Sequence, residues 1–141
     1  MAYDRNNVFA KVLRGELPCH KLYEDEDTLA FLDIMPRSEG HALVITKEEA
    51  RDLVDVSPHG LSQLMAAVQK LAPQIKDAVG ADGVLIQQFN GRAAGQTVFH
   101  LHVHIVPVKE GRPLRPHSGD MADQAELAAT AEKIRQKLGT A

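Results

Sequence analysis

The sequence predicts an α+β fold, a largely antiparallel sheet of five short strands with helices packed on it. Two observations predict it. Apolar segments of strand length come as three before and two after one long helical pattern. The resulting order (helix, three strands, long helix, two strands, helix) lacks the regular alternation of a parallel βαβ winding. A chain of 141 residues, 44% of them hydrophobic, suffices for one domain, residues 1–141, whose core needs no disulfides.

Each element has its own warrant. Residues 7–14 set Val8, Phe9, Val12 and Leu13 at helical spacing, and Gly15 stops them. Residues 22–24 and 28–33 read as two strands hinged at Asp25, Glu26 and Asp27. In the second, Leu29 and Phe31 face one way and Ala30 and Leu32 the other, which predicts a strand covered on both faces. Pro36 and Gly40 make residues 35–40 a turn, and residues 41–45 are the next strand. Ser57 as N-cap and Pro58 in the first turn open a helix. Leu61, Leu64, Met65, Val68, Leu71, Ala72, Ile75 and Val79 mark its face as far as Gly80, and Pro73 is expected to kink it or end it early. Residues 84–89 and 102–108 complete the strands. Asp120 is the expected cap of a last helix, 120–138, along which Leu127, Ala131, Ile134 and Leu138 align before Gly139. Residues 109–119 carry Lys109, Arg112, Arg115 and His117 among prolines and glycines. They read as a solvated loop, with a basic flap beside bound phosphate as the sharper alternative.

Composition excludes several classes. Sixteen basic residues against 19 acidic ones leave a net charge of −3, which offers no broad positive face for nucleic acid. No apolar run approaches the roughly 20 residues that span a bilayer, and the N-terminus lacks the basic-then-apolar pattern of a signal peptide. The single cysteine, Cys19, allows no intramolecular disulfide and no multi-cysteine metal finger, which suits a reducing, cytoplasmic setting.

The central signal is His100-Leu101-His102-Val103-His104-Ile105-Val106-Pro107. Side chains alternate along a strand, so three imidazoles share one face while Leu101, Val103 and Ile105 take the other. One histidine on an apolar strand is usually a satisfied structural residue; three in register ask for a chemical reason. Metal binding and nucleophilic attack on phosphorus both fit three aligned imidazoles. The preceding turn, Asn90-Gly91-Arg92-Ala93-Ala94-Gly95-Gln96-Thr97, separates them, because its backbone N–H groups and the Thr97 hydroxyl suit phosphate oxygens.

Asn90-Gly91 and Gly95-Gln96-Thr97-Val98-Phe99-His100-Leu101-His102-Val103-His104 together resemble the signature of the histidine triad (HIT) family. Tyr23-Glu24-Asp25, Ala30-Phe31-Leu32-Asp33-Ile34 and Gly40-His41-Ala42-Leu43-Val44-Ile45 are similar to that family's N-terminal half. The likeness spans residues 7–108 and is nearest to the Hint branch of purine-nucleotide hydrolases. The galactose-1-phosphate uridylyltransferase branch has glutamine where this chain has His104.

The resemblance implies a HIT-like five-stranded sheet, a homodimer formed through sheet and helix, and no cofactor. It implies hydrolysis of purine nucleoside phosphoramidates through a nucleotidyl-histidine intermediate. His102 corresponds to the nucleophile, its ring steadied by the carbonyl of His100. His104 corresponds to the histidine near phosphate and leaving group, and His41 to a supporting histidine. Asp33 matches the carboxylate on the ribose hydroxyls. Val8, Phe9, Leu17, Phe31, Ile34 and Leu43 match the walls around the base; Asn90, Gly95, Gln96 and Thr97 match the phosphate loop. Many relatives hold zinc with two N-terminal cysteines and a further histidine; Asn7, Ala10 and Glu49 stand at those places, so no metal site is expected. Thr97 replaces the usual serine, which keeps the hydroxyl and restricts its rotamer. Two alternatives compete: a dinucleoside polyphosphate hydrolase of the fragile histidine triad type, and a nucleotide-binding module with little turnover.

Overall fold

The computed structural model describes residues 2–116 and 119–140; His117 of the predicted basic loop lies outside the described residues. In chain order the elements are α1 (Val8–Leu13), β1 (Lys21–Glu24), β2 (Thr28–Leu32), β3 (Ala42–Thr46), α2 (Pro58–Ala78), β4 (Gly83–Gln87), a short 3₁₀ turn (Arg92–Ala94), β5 (His102–Val108) and α3 (Gln124–Leu138). The five strands form one sheet in the order β1-β2-β3-β5-β4, with every neighbouring pair antiparallel. No helix among the described residues is long and apolar enough to cross a membrane.

The period-2 pattern sorts each central strand between two layers. Ala30, Leu32, Ala42, Val44, Val103 and Ile105 point into the main core, where Leu64, Val68, Leu71 and Ile75 of α2 and Leu127, Ala131 and Ile134 of α3 meet them. Leu29, Phe31, Leu43 and Ile45 point the other way and pack under Phe9 of α1. The two-faced reading of residues 28–32 holds, and β2 is buried along its whole length. Asn7 caps α1 by accepting the Ala10 N–H, and Ser57 caps α2 by accepting that of Gly60.

Four expectations shift. Of the two outcomes expected at Pro73, an early end does not occur: the long helix continues to Ala78, because Pro73 is exposed while Leu71, Ala72 and Ile75 keep both sides of it docked. Met65, assigned to the buried face, is 43% exposed. The last helix is capped by Asp123 rather than Asp120; the Ala122 N–H goes to the Ile34 carbonyl instead of into the helix. Finally, His41 and His100 stand just outside β3 and β5. The periodic pattern runs on through both residues, but the ladder begins only at Ala42 and at His102.

Candidate active site

Four histidines converge on the face covered by α1. His102 and His104 project from β5 opposite Ile45 and Leu43 of β3, and His104 also lies opposite Gln87 of β4. His41 enters from the turn before β3, and its ring centroid is 5.2 Å from that of His104. The rings of His102 and His104 are 5.1 Å apart. All four are buried, with His100 at 0%, His41 at 1%, His104 at 4% and His102 at 7% exposure. Buried imidazoles need partners, and here the partners fix the protons.

His102 Nδ1 lies 2.6 Å from the carbonyl oxygen of His100. A carbonyl only accepts, so Nδ1 carries the proton, and the in-plane lone pair of the neutral ring is on Nε2. The Arg37 backbone N–H donates to His41 Nδ1 at 3.0 Å. His41 therefore holds its proton on Nε2, which donates to His104 Nδ1 at 3.0 Å. That in turn places the proton of neutral His104 on Nε2. His100 donates from Nε2 to the Thr46 carbonyl at 2.6 Å and accepts from the Tyr3 hydroxyl at Nδ1. Burial pushes the His100 pKa down, against the opposing pull of the Thr46 carbonyl and Glu49, so the ring is held neutral. The array thus presents one imidazole with an unprotonated nitrogen beside another whose N–H is a donor. Chemically this is a nucleophile next to a hydrogen-bond donor.

The apolar side chains divide into a floor and a rim. Phe9 meets the His102 ring edge-to-face at 4.9 Å and Phe31 at 5.5 Å. Phe9, Phe31 and Leu43 are buried, whereas Val8, Leu17 and Ile34 are 51%, 38% and 42% exposed. The latter three lie at the surface rather than in the core. Asp33 uses one carboxylate oxygen to accept the Met35 N–H at 2.8 Å, and the other lies 3.5 Å from His41 Nε2.

The loop before β5 is organised by its own polar groups. Gly91 and Gly95 have φ of +91° and +103°, conformations that L side chains rarely adopt. Gln96 is turned inward. Its amide nitrogen donates to the carbonyls of Arg51 and Val98, and its oxygen accepts the Gly91 N–H. Its side chain therefore braces the loop from behind. Asn90 accepts from the Leu53 N–H and exchanges hydrogen bonds with Gln88. Thr97 is exposed.

Asp33, His41 and His104 bring ligand-type atoms within 4.8 Å of one another, which raises the question of a cation. A neutral imidazole that coordinates through Nε2 keeps its proton on Nδ1. At His41 that proton would face the Arg37 N–H, which already points at Nδ1. The donor set therefore suits a proton between His41 and His104 better than a metal ion. At the positions where zinc-binding relatives carry ligands, Asn7 caps α1, Ala10 is buried and Glu49 pairs with Arg5 at 3.0 Å. Cys19 is half-buried, and burial pushes its thiol pKa up.

Sequence reasoning missed four participants: Tyr3 and Thr46 on His100, Arg37 on His41, and Phe89, whose ring meets His104 at 5.7 Å. Only Phe89 had a local signal, as the last apolar residue before the glycine-bearing turn. The basic segment reaches the site indirectly. Arg115 donates its backbone N–H to the Arg37 carbonyl, and Arg37 Nε donates to the Arg115 carbonyl. Lys109 sits 3.9 Å from Glu39. The described part of this segment is thus a surface loop docked on Arg37.

Comparison with known proteins agrees with this architecture. A crystal structure of a HIT-like protein from Bartonella henselae superposes with a TM-score of 0.92 at 46% identity, covering 97% of this chain and 99% of that one. The adenosine 5'-monophosphoramidase hnt1 of Schizosaccharomyces pombe is 37% identical, over 93% of this chain and 97% of the relative. The adenylylsulfatase HINT3 of Arabidopsis thaliana is 41% identical, over 79% of this chain and 59% of the relative. The HIT domain model matches residues 14–111, the span that holds His41, the glycine-bearing loop and the histidine strand, and the chain therefore belongs to the HIT family.

Proposed function

We propose that the protein is a nucleotide hydrolase that cleaves purine nucleoside phosphoramidates at the α-phosphate. The observation that carries this reading is the hydrogen bond from His102 Nδ1 to the His100 carbonyl, which puts the ring proton on Nδ1 and makes Nε2 the nucleophilic nitrogen. Relatives named as an adenosine 5'-monophosphoramidase and an adenylylsulfatase support chemistry at a nucleotide phosphate.

In the first step His102 Nε2 forms a bond to the α-phosphorus while the P–N bond to the amine breaks. The bonding pair leaves with the amine nitrogen, which takes a proton from solvent. The His102 ring becomes a nucleotidyl-imidazolium whose Nδ1–H stays on the His100 carbonyl. His104 offers its Nε2–H as a hydrogen-bond donor to the charge that builds on phosphoryl oxygen and leaving group. Full surrender of that proton would leave an imidazolate, because Nδ1 is already an acceptor from His41. In the second step water attacks phosphorus and gives up a proton to solvent, the P–Nε2 bond breaks with its electron pair returning to Nε2, and the nucleoside monophosphate departs with the neutral ring restored. The ribose hydroxyls are assigned to Asp33, the base to Phe9, Phe31 and Leu43 with the rim of Val8, Leu17 and Ile34, and the phosphate to the loop of Asn90, Gly95 and Thr97.

β4 is an edge strand carrying Ile86 at 40% exposure. An exposed apolar edge is a ready surface for a second copy, which supports a homodimer; sedimentation of wild type and Ile86→Glu tests it. The absence of a second cysteine suits the cytoplasm.

The deciding experiment compares steady-state rates on an adenosine phosphoramidate and on diadenosine tetraphosphate after chelator treatment. A clear preference for the phosphoramidate is expected. Preference for the polyphosphate would move the protein to the other substrate class with His102 in the same role. Binding of adenosine monophosphate without turnover of either would end the hydrolase reading.

A further inference from the structure

We propose that Tyr3 is a positioning residue for the nucleophile, acting through His100 on the carbonyl that holds His102. The Tyr3 hydroxyl lies 2.5 Å from His100 Nδ1, and the far side of the same ring donates from Nε2 to the Thr46 carbonyl at 2.6 Å. Because the Thr46 carbonyl can only accept, Nε2 holds the ring's proton, and Nδ1 must receive one from Tyr3. Both ring nitrogens are therefore engaged, between the N-terminal segment at one end and the end of β3 at the other. The Tyr3 and His100 rings also meet edge-to-face at 5.6 Å.

This pin matters because residue 100 lies outside the β5 ladder, which begins at His102. Its carbonyl is the acceptor for His102 Nδ1, and it precedes the first residue of the β5 ladder. Two things orient that peptide: the Leu101 N–H on the Ala50 carbonyl, and the doubly held His100 ring. Removing the hydroxyl would leave a fully buried ring nitrogen without its donor, a situation that proteins relieve by moving the group or admitting water.

The N-terminal segment is built to hold Tyr3 in place. Arg5 pairs with Glu49 at 3.0 Å, Arg14 donates to the Arg5 carbonyl at 2.8 Å, and Asn7 donates to the Asp4 carbonyl at 2.8 Å while capping α1. The same stretch delivers Phe9 to the His102 ring. Burial raises the Tyr3 phenol pKa above its ordinary value, with the Asn7 side chain pulling the other way, so the hydroxyl keeps its proton and remains a donor.

The kinetic arm of the test rests on the hydrolase reading; a spectroscopic arm does not. Tyr3→Phe keeps the ring packing and deletes only the donor. Its kcat on an adenosine phosphoramidate is expected to fall about tenfold, the usual scale for outer partners of an oriented imidazole, with KM within about twofold. Histidine ¹⁵N spectra should show His102 changing from a single Nδ1–H tautomer to a mixture. Lys76→Ala, which removes only a surface ion pair with Asp77 on α2, should match wild type in both. Wild-type kcat in Tyr3→Phe, or a lowered kcat with the His102 tautomer unchanged, overturns the proposal. If wild type turns over no phosphoramidate, the hydrolase reading fails and the His102 spectrum alone decides the role of Tyr3.

Discussion

His102 donates its Nδ1 proton to the carbonyl of His100, two residues back along the chain, at 2.6 Å. The nucleophile and the group that orients it thus come from one short stretch, and the tautomer is set without a carboxylate. His102→Ala should lower kcat on an adenosine phosphoramidate at least about 10³-fold, roughly 4 kcal/mol of transition-state stabilisation. Adenosine monophosphate should still bind, as titration calorimetry would show. A variant retaining more than a tenth of wild-type kcat would remove His102 from the role of nucleophile.

The Arg37 N–H, His41 and His104 form a one-way series of donors. Its effect is to fix the His104 proton on Nε2. His41→Leu removes the donor to His104 Nδ1 and should cost about 10²-fold in kcat, the lower range for loss of one placed catalytic group. His41→Gln offers an amide N–H in a similar place and should recover a substantial part. Equal losses in the two variants would show that His41 acts by bulk alone.

The sequence exposes what is periodic and hides what is assembled from afar. Leu29 and Phe31 against Ala30 and Leu32 announce a two-faced strand because each side chain's direction follows from its place in the pleat. His102 and His104 are legible for the same reason. The pattern over-reads at His100, since residues 98–101 turn away before the ladder starts and periodicity does not register that bend. Tyr3 is 97 positions from His100, and no local rule links them. Gln96 carries the residue type of a ligand contact, yet its direction depends on the Arg51 and Val98 carbonyls. Asp120 and Asp123 are equally good caps by residue type, and the choice falls to the tie between Ala122 and Ile34.

Burial of a neutral His100 makes stability depend on pH. Its folded pKa is depressed below the ordinary 6.5 by burial, so below 6.5 the unfolded chain binds a proton that the native ring resists. The contribution is fully present above pH 6.5 and is lost as pH falls from there toward the folded pKa. Asp25, whose pKa is lowered because hydrogen bonds from Asp27, Tyr23 and Thr28 outweigh the opposing effect of burial, loses its contribution only in the more acidic carboxylate range. Thermal midpoints should therefore fall between pH 7 and pH 5, and His100→Gln should show a shallower decline. An identical slope in the variant would assign the effect to other groups.

Pro73 lies in the C-terminal half of α2 without ending it. It has no N–H for the Gln69 carbonyl one turn earlier, and its ring crowds that turn. The helix persists because Leu71, Ala72 and Ile75 bury the opposite side against the sheet and α3, so packing outweighs the local penalty. Pro73 itself is exposed, and its replacement should disturb no core contact. Pro73→Ala restores the donor and a good helix former at a solvent-facing site. It should stabilise the protein by about 1–2 kcal/mol, raising the thermal midpoint by about 5 °C, with kcat unchanged because α2 packs on the sheet face away from His102. Urea unfolding at pH 7.5 measures the difference directly. A lower midpoint in the variant would mean that the proline is part of the packing rather than a tolerated fault.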